Sequence, residues 1–307
     1  MAISQVRAQV NGVWTVLTYN GATGKYEANV TAPSTTSFNL VGGYYPIVVE
    51  ATNTAGTVVT KNKDDATLGA SLRLVVKELT KPVITITSPG ASAKVTNAAQ
   101  PVVFQLRDES GGSGIAIGTL KLQFDTGTIF TNASTGMSIT QVTNGYDVTY
   151  TPQTGLTDGS HTVKIDIKDN DGNSATQSTR TYTVDTVPPV LNVTAPTTGF
   201  IRNTAAVSVV GITNDITSSP VVVTVKLNGI DQGTVTLDGS GNFSKAITLA
   251  EGANTIIIRS TDAAGKYSEI TITGTLDTSV PTISSVTITP NPANSGATVL
   301  ISVAVSG

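Results

Sequence analysis

Cysteine is absent from the 307 residues, so the chain has no disulfide framework and no thiolate for metal or redox chemistry. It has one histidine, His161, which excludes centres built from several imidazoles and leaves a single candidate of that kind for general-base chemistry. Charged residues make up only 13% of the chain and the formal net charge is −3. That balance lacks the basic field a phosphate backbone demands, so no nucleic-acid partner is expected. No run of about 18 apolar residues occurs, so no transmembrane helix and no membrane insertion is expected. Residues 1–14 also lack the apolar centre of a secretory signal. Helical periodicity is nearly missing.

Hydrophobic residues reach 39%, enough for packed cores and too many for a disordered chain. They alternate with period two. Leu120, Leu122 and Phe124 face one way, with Lys121, Gln123 and Asp125 on the other side; Val163, Ile165 and Ile167 oppose Lys164, Asp166 and Lys168. This pattern belongs to antiparallel strands with one buried face. Three proline-bearing junctions recur: Leu79-Thr80-Lys81-Pro82-Val83, Asp185-Thr186-Val187-Pro188-Pro189-Val190 and Asp277-Thr278-Ser279-Val280-Pro281-Thr282. An alternating strand and a second proline, Pro89, Pro196 or Pro290, follow each one. The repeat is about 90–110 residues long, the size of an immunoglobulin-type module. A second shared element combines a turn glycine, a strand and an Asn/Asp-rich hairpin with its own glycine, at 43–56, 159–173 and 252–266. His161 falls in this element at a position filled elsewhere by Tyr44 and by Ala253 or Asn254, which reads as a structural position. No catalytic residue and no enzymatic activity are expected.

The turn-glycine, strand and hairpin element, together with the Asp-Thr-Val-Pro-Pro type of junction, resembles bacterial Ig-like domains found in tandem, over roughly residues 40–280. Residues 211–220 and 262–266 are similar to Ig-like proteins of phages of Gram-positive bacteria. The implied fold is all-β: tandem immunoglobulin-like antiparallel β-sandwiches joined by short Pro-containing linkers. The expected division is module 1 over 1–79, module 2 over 80–186, module 3 over 187–278, and a two-strand segment over 279–307. The resemblance implies a non-enzymatic structural or display protein associated with a virion, as tail, fibre or capsid decoration. Its expected partners are other virion or surface proteins in an oligomeric assembly, and a host-surface glycan. A bacterial cell-surface adhesin or stalk is the alternative, and an accessory carbohydrate-binding array a third. The missing signal fits release by lysis, or removal of a leader. The location implied is the virion, or else the bacterial cell surface or extracellular space.

Four features invite a functional reading. Asp169-Asn170-Asp171-Gly172-Asn173 resembles the opening of a calcium loop, with Asp169 and Asp171 as candidate ligands. No glutamate closes a twelve-residue loop, and the same residues are ordinary turn formers. No cofactor other than calcium is indicated. The acidic, glycine-rich segment 107–114 reads either as a loop between strands or as a ligand contact. Aromatic residues gather early, at Trp14, Tyr19, Tyr26, Tyr44 and Tyr45; Trp14 shares parity with Val16 and Thr18 and is expected in a core. Finally, Val299, Ile301, Val303 and Val305 would line one apolar face of the last strand. They are candidates for an anchor or subunit contact, or for part of a further module.

Overall fold

The computed structural model describes residues 2–307. The chain forms two compact units, one running to residue 184 apart from 94–96, the other made of 94–96 and 185–307. Each unit contains one two-layer sandwich.

In the first unit the sandwich begins at Val83–Ser88, which ends against Pro89. One layer orders Met137–Val142, Gly145–Tyr150, Val102–Arg107 and Val83–Ser88 side by side. The facing layer runs Ile129–Phe130, Lys121–Phe124, Gly159–Asp166 and Ser178–Val184. Alternation decides what lies between them: Val102, Phe104 and Leu106 from one layer, and Leu122, Val163, Ile165 and Tyr182 from the other, are sealed from solvent. The lysines and aspartates between them point outward, as their parity requires.

The second unit repeats the plan. Val190–Ala195, Ala206–Asn214 and Asn242–Thr248 form one sheet. Phe200–Arg202, Tyr267–Leu276, Gly252–Thr261, Val222–Leu227 and Ile230–Val235 form the other. Its core gathers Val209, Val223, Val225, Phe243, Ile256 and Ile258. Gly211 is needed in the middle of its strand: a Cβ there would lie 2.5 Å from the Asn192 carbonyl oxygen and 2.6 Å from the Phe243 ring. The first, third and sixth strands share a layer while the others form the facing one, which is the immunoglobulin arrangement.

The segment expected to be a first sandwich is a single sheet instead. Lys25–Glu27, Val13–Asn20, Ile3–Val10, Tyr45–Asn53 and Val58–Lys61 lie in that order, with Arg73–Leu74 paired to Tyr45–Asn53. Residues 28–44 and 62–68, where a second layer would have to arise, contain no strand. They are broken up by Gly, Pro, Ser, Asn and Asp. Trp14 is therefore not a core residue. It is 36% exposed and lies under the Arg7 guanidinium, 4.3 Å from the ring centroid. Its parity with Val16 holds, but the face they share is an open one. Tyr45 is buried, with its hydroxyl 2.6 Å from Thr35 Oγ1, whereas Tyr19 and Tyr26 pair on the surface.

Thr282–Thr289 and Leu300–Ser306 form a two-stranded hairpin. Ile288 pairs with Ile301, Val286 with Val303 and Ile283 with Val305. Among the described residues, no helix is long and apolar enough to cross a membrane.

The sealed interior sets the energetic scale. Phe104→Ala should lower unfolding free energy by about 3–5 kcal/mol, whereas Val16→Ala on the open sheet should change it by less than about 0.5 kcal/mol. Denaturant titration of the two variants measures the contrast.

Candidate functional site

The five-residue turn at 238–242, where the Asp238 N–H donates to the Asn242 carbonyl at 3.0 Å and Asp238 Oδ1 accepts the Asn242 N–H at 2.8 Å, recurs in three further hairpins, at 53–57, 169–173 and 262–266. In each, the first residue's N–H donates to the fifth residue's carbonyl, at 3.1, 3.1 and 2.9 Å. The first residue's Oδ1 accepts the fifth residue's N–H in return, at 3.0, 2.8 and 2.9 Å. The fourth residue is Gly56, Gly172 or Gly265, at φ of 81°, 98° and 94°, where a side chain would be strained. This is the structural use of the Asp169 hairpin: its carboxylate closes a turn rather than opening a helical calcium loop.

Around two of these turns, acidic side chains from distant segments converge. In the first unit, ligand oxygens of Glu78, Asp108 and Asp169 all lie within 4.8 Å of one another. Asp108 comes from the 107–114 loop, which thus supplies a wall of the group. Its Oδ2 accepts the Gly114 N–H at 2.7 Å, and Glu78 Oε1 accepts the Ser113 N–H at 2.6 Å. Asp108 Oδ1, Glu78 Oε2 and Glu109 Oε2 are buried without hydrogen-bond partners. Gly112 is pressed among them: a Cβ would lie 2.7 Å from Glu78 Oε2 and 2.8 Å from Asp108 Oδ2. Burial, and next the neighbouring Glu109 carboxyl, raise the Glu78 pKa.

In the second unit the corresponding group is Asp185, Asp215 and Asp262, again within 4.8 Å. Asp215 Oδ1 is held by the N–H groups of Thr217 and Ser218, at 2.8 and 2.7 Å. Asp185 Oδ2, Asp262 Oδ2 and the Ser218 hydroxyl are buried without partners. The Asp185 pKa is raised by burial first, against the Val187 N–H, with repulsion from Asp215 and Asp262 adding to the rise.

Of the two ligands expected from sequence, Asp169 belongs to the first group and Asp171 lies outside it. The Asp171 carboxylate accepts the Glu78 N–H at 3.0 Å and the Thr36 hydroxyl, tying two loops together. Glu78, Asp108, Asp185, Asp215 and Asp262 were not singled out as ligands. Aligning the turns would have raised the question, because Asp169 and Asp262 share a position and Asp108 and Asp215 directly follow the matching strands Val102–Arg107 and Ala206–Asn214.

His161 is buried, and both its ring nitrogens are engaged: Nδ1 with Asp125 Oδ2 and Nε2 with the Thr157 carbonyl, each at 2.8 Å. Neither nitrogen remains for a nucleophile or substrate. Next to this pair, Phe124, Phe130 and Tyr150 border a cleft of ≈ 680 Å³, with Phe130 and Tyr150 centroids 4.6 Å apart. The four apolar residues of the last strand region are all exposed, with Ile301 and Val305 at 60%.

Residues 78–186 match the family described as Bacterial Ig-like domain, and residues 189–278 match Glucodextranase, domain B. The chain carries tandem Ig-like domains. No curated protein matches it. Among solved structures, the chain is similar to the fibronectin(III)-like modules of Clostridium thermocellum CbhA, at 15% identity over 64% of this chain and 94% of that one, with a TM-score of 0.38. A three-domain titin fragment aligns at 12% identity over 88% and 86%, with a TM-score of 0.42. A bacterial ice-binding adhesin aligns at 20% identity over 90% and 88%, with a TM-score of 0.31. At these scores the alignments carry no functional meaning. In the first of the two Ig-like sandwiches, His161 and Asp125 lock the end of one strand to the start of another, and Asp125 also accepts the Thr162 N–H at 2.8 Å.

That lock is pH-sensitive. Burial opposes charge on His161, but the hydrogen bonds to Asp125 and Thr157 and the charge of Asp125 outweigh it, raising the pKa above the ordinary 6.5. Burial likewise opposes charge on Asp125, yet His161, the Thr162 N–H and Lys164 lower its pKa below 3.8. The histidine contribution is complete below its ordinary pKa and is lost as pH rises through the higher folded-state value; the aspartate contribution is lost as pH falls below about 3.8. Calorimetric unfolding should therefore show the sandwich containing His161 losing stability as pH rises above 6.5. His161→Gln should flatten that slope.

Proposed function

We propose that the chain is a non-enzymatic structural or adhesive display protein that carries loop tips and an uncovered sheet face on Ig-like sandwiches. The observation that supports this reading most directly is the hairpin of 282–306. Its pairs Ile283/Val305, Val286/Val303 and Ile288/Ile301 leave an apolar surface exposed. A two-stranded sheet with such a face gains stability only when a further layer or strand covers it. We assign Val299, Ile301, Val303 and Val305 to a contact with another subunit of an assembly.

The finer reading is a virion-associated protein of a tailed phage. It rests on the resemblance of the proline-bearing junctions and the 211–220 and 262–266 segments, and on no feature of the fold. A bacterial cell-surface adhesin or stalk is the alternative. A carbohydrate-binding array attached to an enzyme has one observation of its own: in the cleft beside the buried Phe124 and Tyr150, the half-buried Phe130 offers an aromatic face of the kind that receives a sugar ring. The match of 189–278 to a domain of glucodextranase is compatible with that reading. A glycan array comparing the native chain with Phe130→Ala discriminates it.

The assembly contact is tested by Ile301→Glu combined with Val303→Glu. Sedimentation should show loss of self-association, or purified particles should lose the protein, while the unfolding midpoints of both sandwiches stay within about 2 °C of native. Unaltered association and incorporation would reject the contact.

A further inference from the structure

The turn shared by 53–57, 169–173 and 262–266 requires one acceptor oxygen from its first residue. Asn53 supplies it through Oδ1, to the N–H groups of Ala55 and Thr57 at 2.9 and 3.0 Å. Asp262 supplies it in the same way, to Ala264 and Lys266 at 2.8 and 2.9 Å. An amide is thus sufficient for the fold of the turn. The carboxylate at 262 brings a further oxygen and a negative charge that the turn does not use. That oxygen, Oδ2, has no partner although the residue is only 6% exposed.

The excess is not isolated. Asp185 is fully buried, and its Oδ2 is also unpartnered. Asp215 completes the group, and the partnerless Ser218 hydroxyl is buried in the same unit. In the first unit, Asp108 is 8% exposed with Oδ1 unpartnered, and Glu78 Oε2 and Glu109 Oε2 are in the same condition. No ion pair among the described residues involves any of these carboxylates. Three acidic groups packed within 4.8 Å, two of each three buried and the third half-buried, repel one another and lose hydration; both costs end when a cation sits among them. All the donors are oxygens, which selects a hard cation. Calcium takes 6–8 oxygens at about 2.3–2.6 Å, so oxygens on opposite sides of its shell stand about 5 Å apart, a spacing both groups can serve.

We propose that Glu78, Asp108 and Asp169 in the first unit, and Asp185, Asp215 and Asp262 in the second, form two equivalent calcium sites, one per Ig-like sandwich. Each site takes one ligand from the segment that enters the sandwich, one from the loop after Val102–Arg107 or Ala206–Asn214, and one from its last hairpin turn. The ion fastens three segments that the sheets themselves leave loose. The turn at 53–57 has asparagine in the ligand position and belongs to the single sheet, so no third site is assigned there.

The test uses the full chain, stripped with chelator and titrated calorimetrically with calcium chloride, and with magnesium chloride in parallel. Two binding events with calcium are expected. The unfolding midpoint of each sandwich should rise by about 10 °C at saturation. Asp262→Asn should abolish one event and Asp108→Asn the other, each leaving its partner site intact. Asparagine already closes the turn at position 53, so Asp262→Asn should fold. With one charge removed, its calcium-free midpoint should equal or exceed that of the native chain, while the calcium response of that sandwich disappears. Asp185→Asn serves as the second variant at the same site. Absence of both heat and midpoint shift at millimolar calcium would overturn the proposal. So would two undiminished events in the aspartate variants, or equal saturation by magnesium.

Discussion

Sealing alternate strand residues between two facing sheets is the constraint on which both sandwiches depend, because nothing covalent holds the layers together. Phe104, Leu122 and Ile165 in one unit, and Val225, Ile256 and Ile258 in the other, fill the interlayer space. Roughly 25 cal/mol is gained for each Å² of apolar surface so removed, against the backbone entropy lost in ordering the strands. A core of this kind tolerates few polar intrusions, and those present are tied down. Thr213 and Ser260, both buried, share a hydrogen bond of 2.6 Å. Where the second layer is missing, as in the sheet spanning 3–74, the same alternation leaves Trp14 and Val16 exposed on one face.

Loops at the ends of the sandwiches carry the opposite burden. There the chain buries carboxylates rather than valines, and several of their oxygens have no hydrogen-bond partner. Leaving a charged acceptor unsatisfied costs more than leaving a neutral one, so these positions do not serve stability in the absence of a counter-ion. The contrast between Asn53 and Asp262 in one and the same turn separates what the backbone needs from what the charge adds. His161 and Asp125 show the other outcome, a buried polar pair with its ring nitrogens satisfied.

The two sandwiches were legible because their cause is local. A period of two, glycines where φ is positive and prolines at strand ends depend on neighbours within a few residues, and Val83–Ser88 and Val190–Ala195 end at Pro89 and Pro196 as their spacing suggests. The first segment misled for a related reason: Trp14, Val16 and Thr18 do share a face, but parity says nothing about whether another layer covers it. Asp169 and Asp171 stand out together because two aspartates, two asparagines and a glycine resemble the opening of a calcium loop, a resemblance that does not tell which carboxylate faces other acidic groups.

Residue order by itself specified the strands, the turns, the repeat length and the all-β class, since each follows from steric and hydropathic preferences acting over short distances. Folding settled the rest: which face of the Trp14 strand is open, why Asp171 braces Thr36 and Glu78, and which carboxylates meet. Glu78, Asp108 and Asp169 lie on three separate segments, and only the return of strands across two sheets brings their oxygens within one ion's reach. No local rule relates positions so far apart along the chain, so that juxtaposition is a property of the packed sandwich alone.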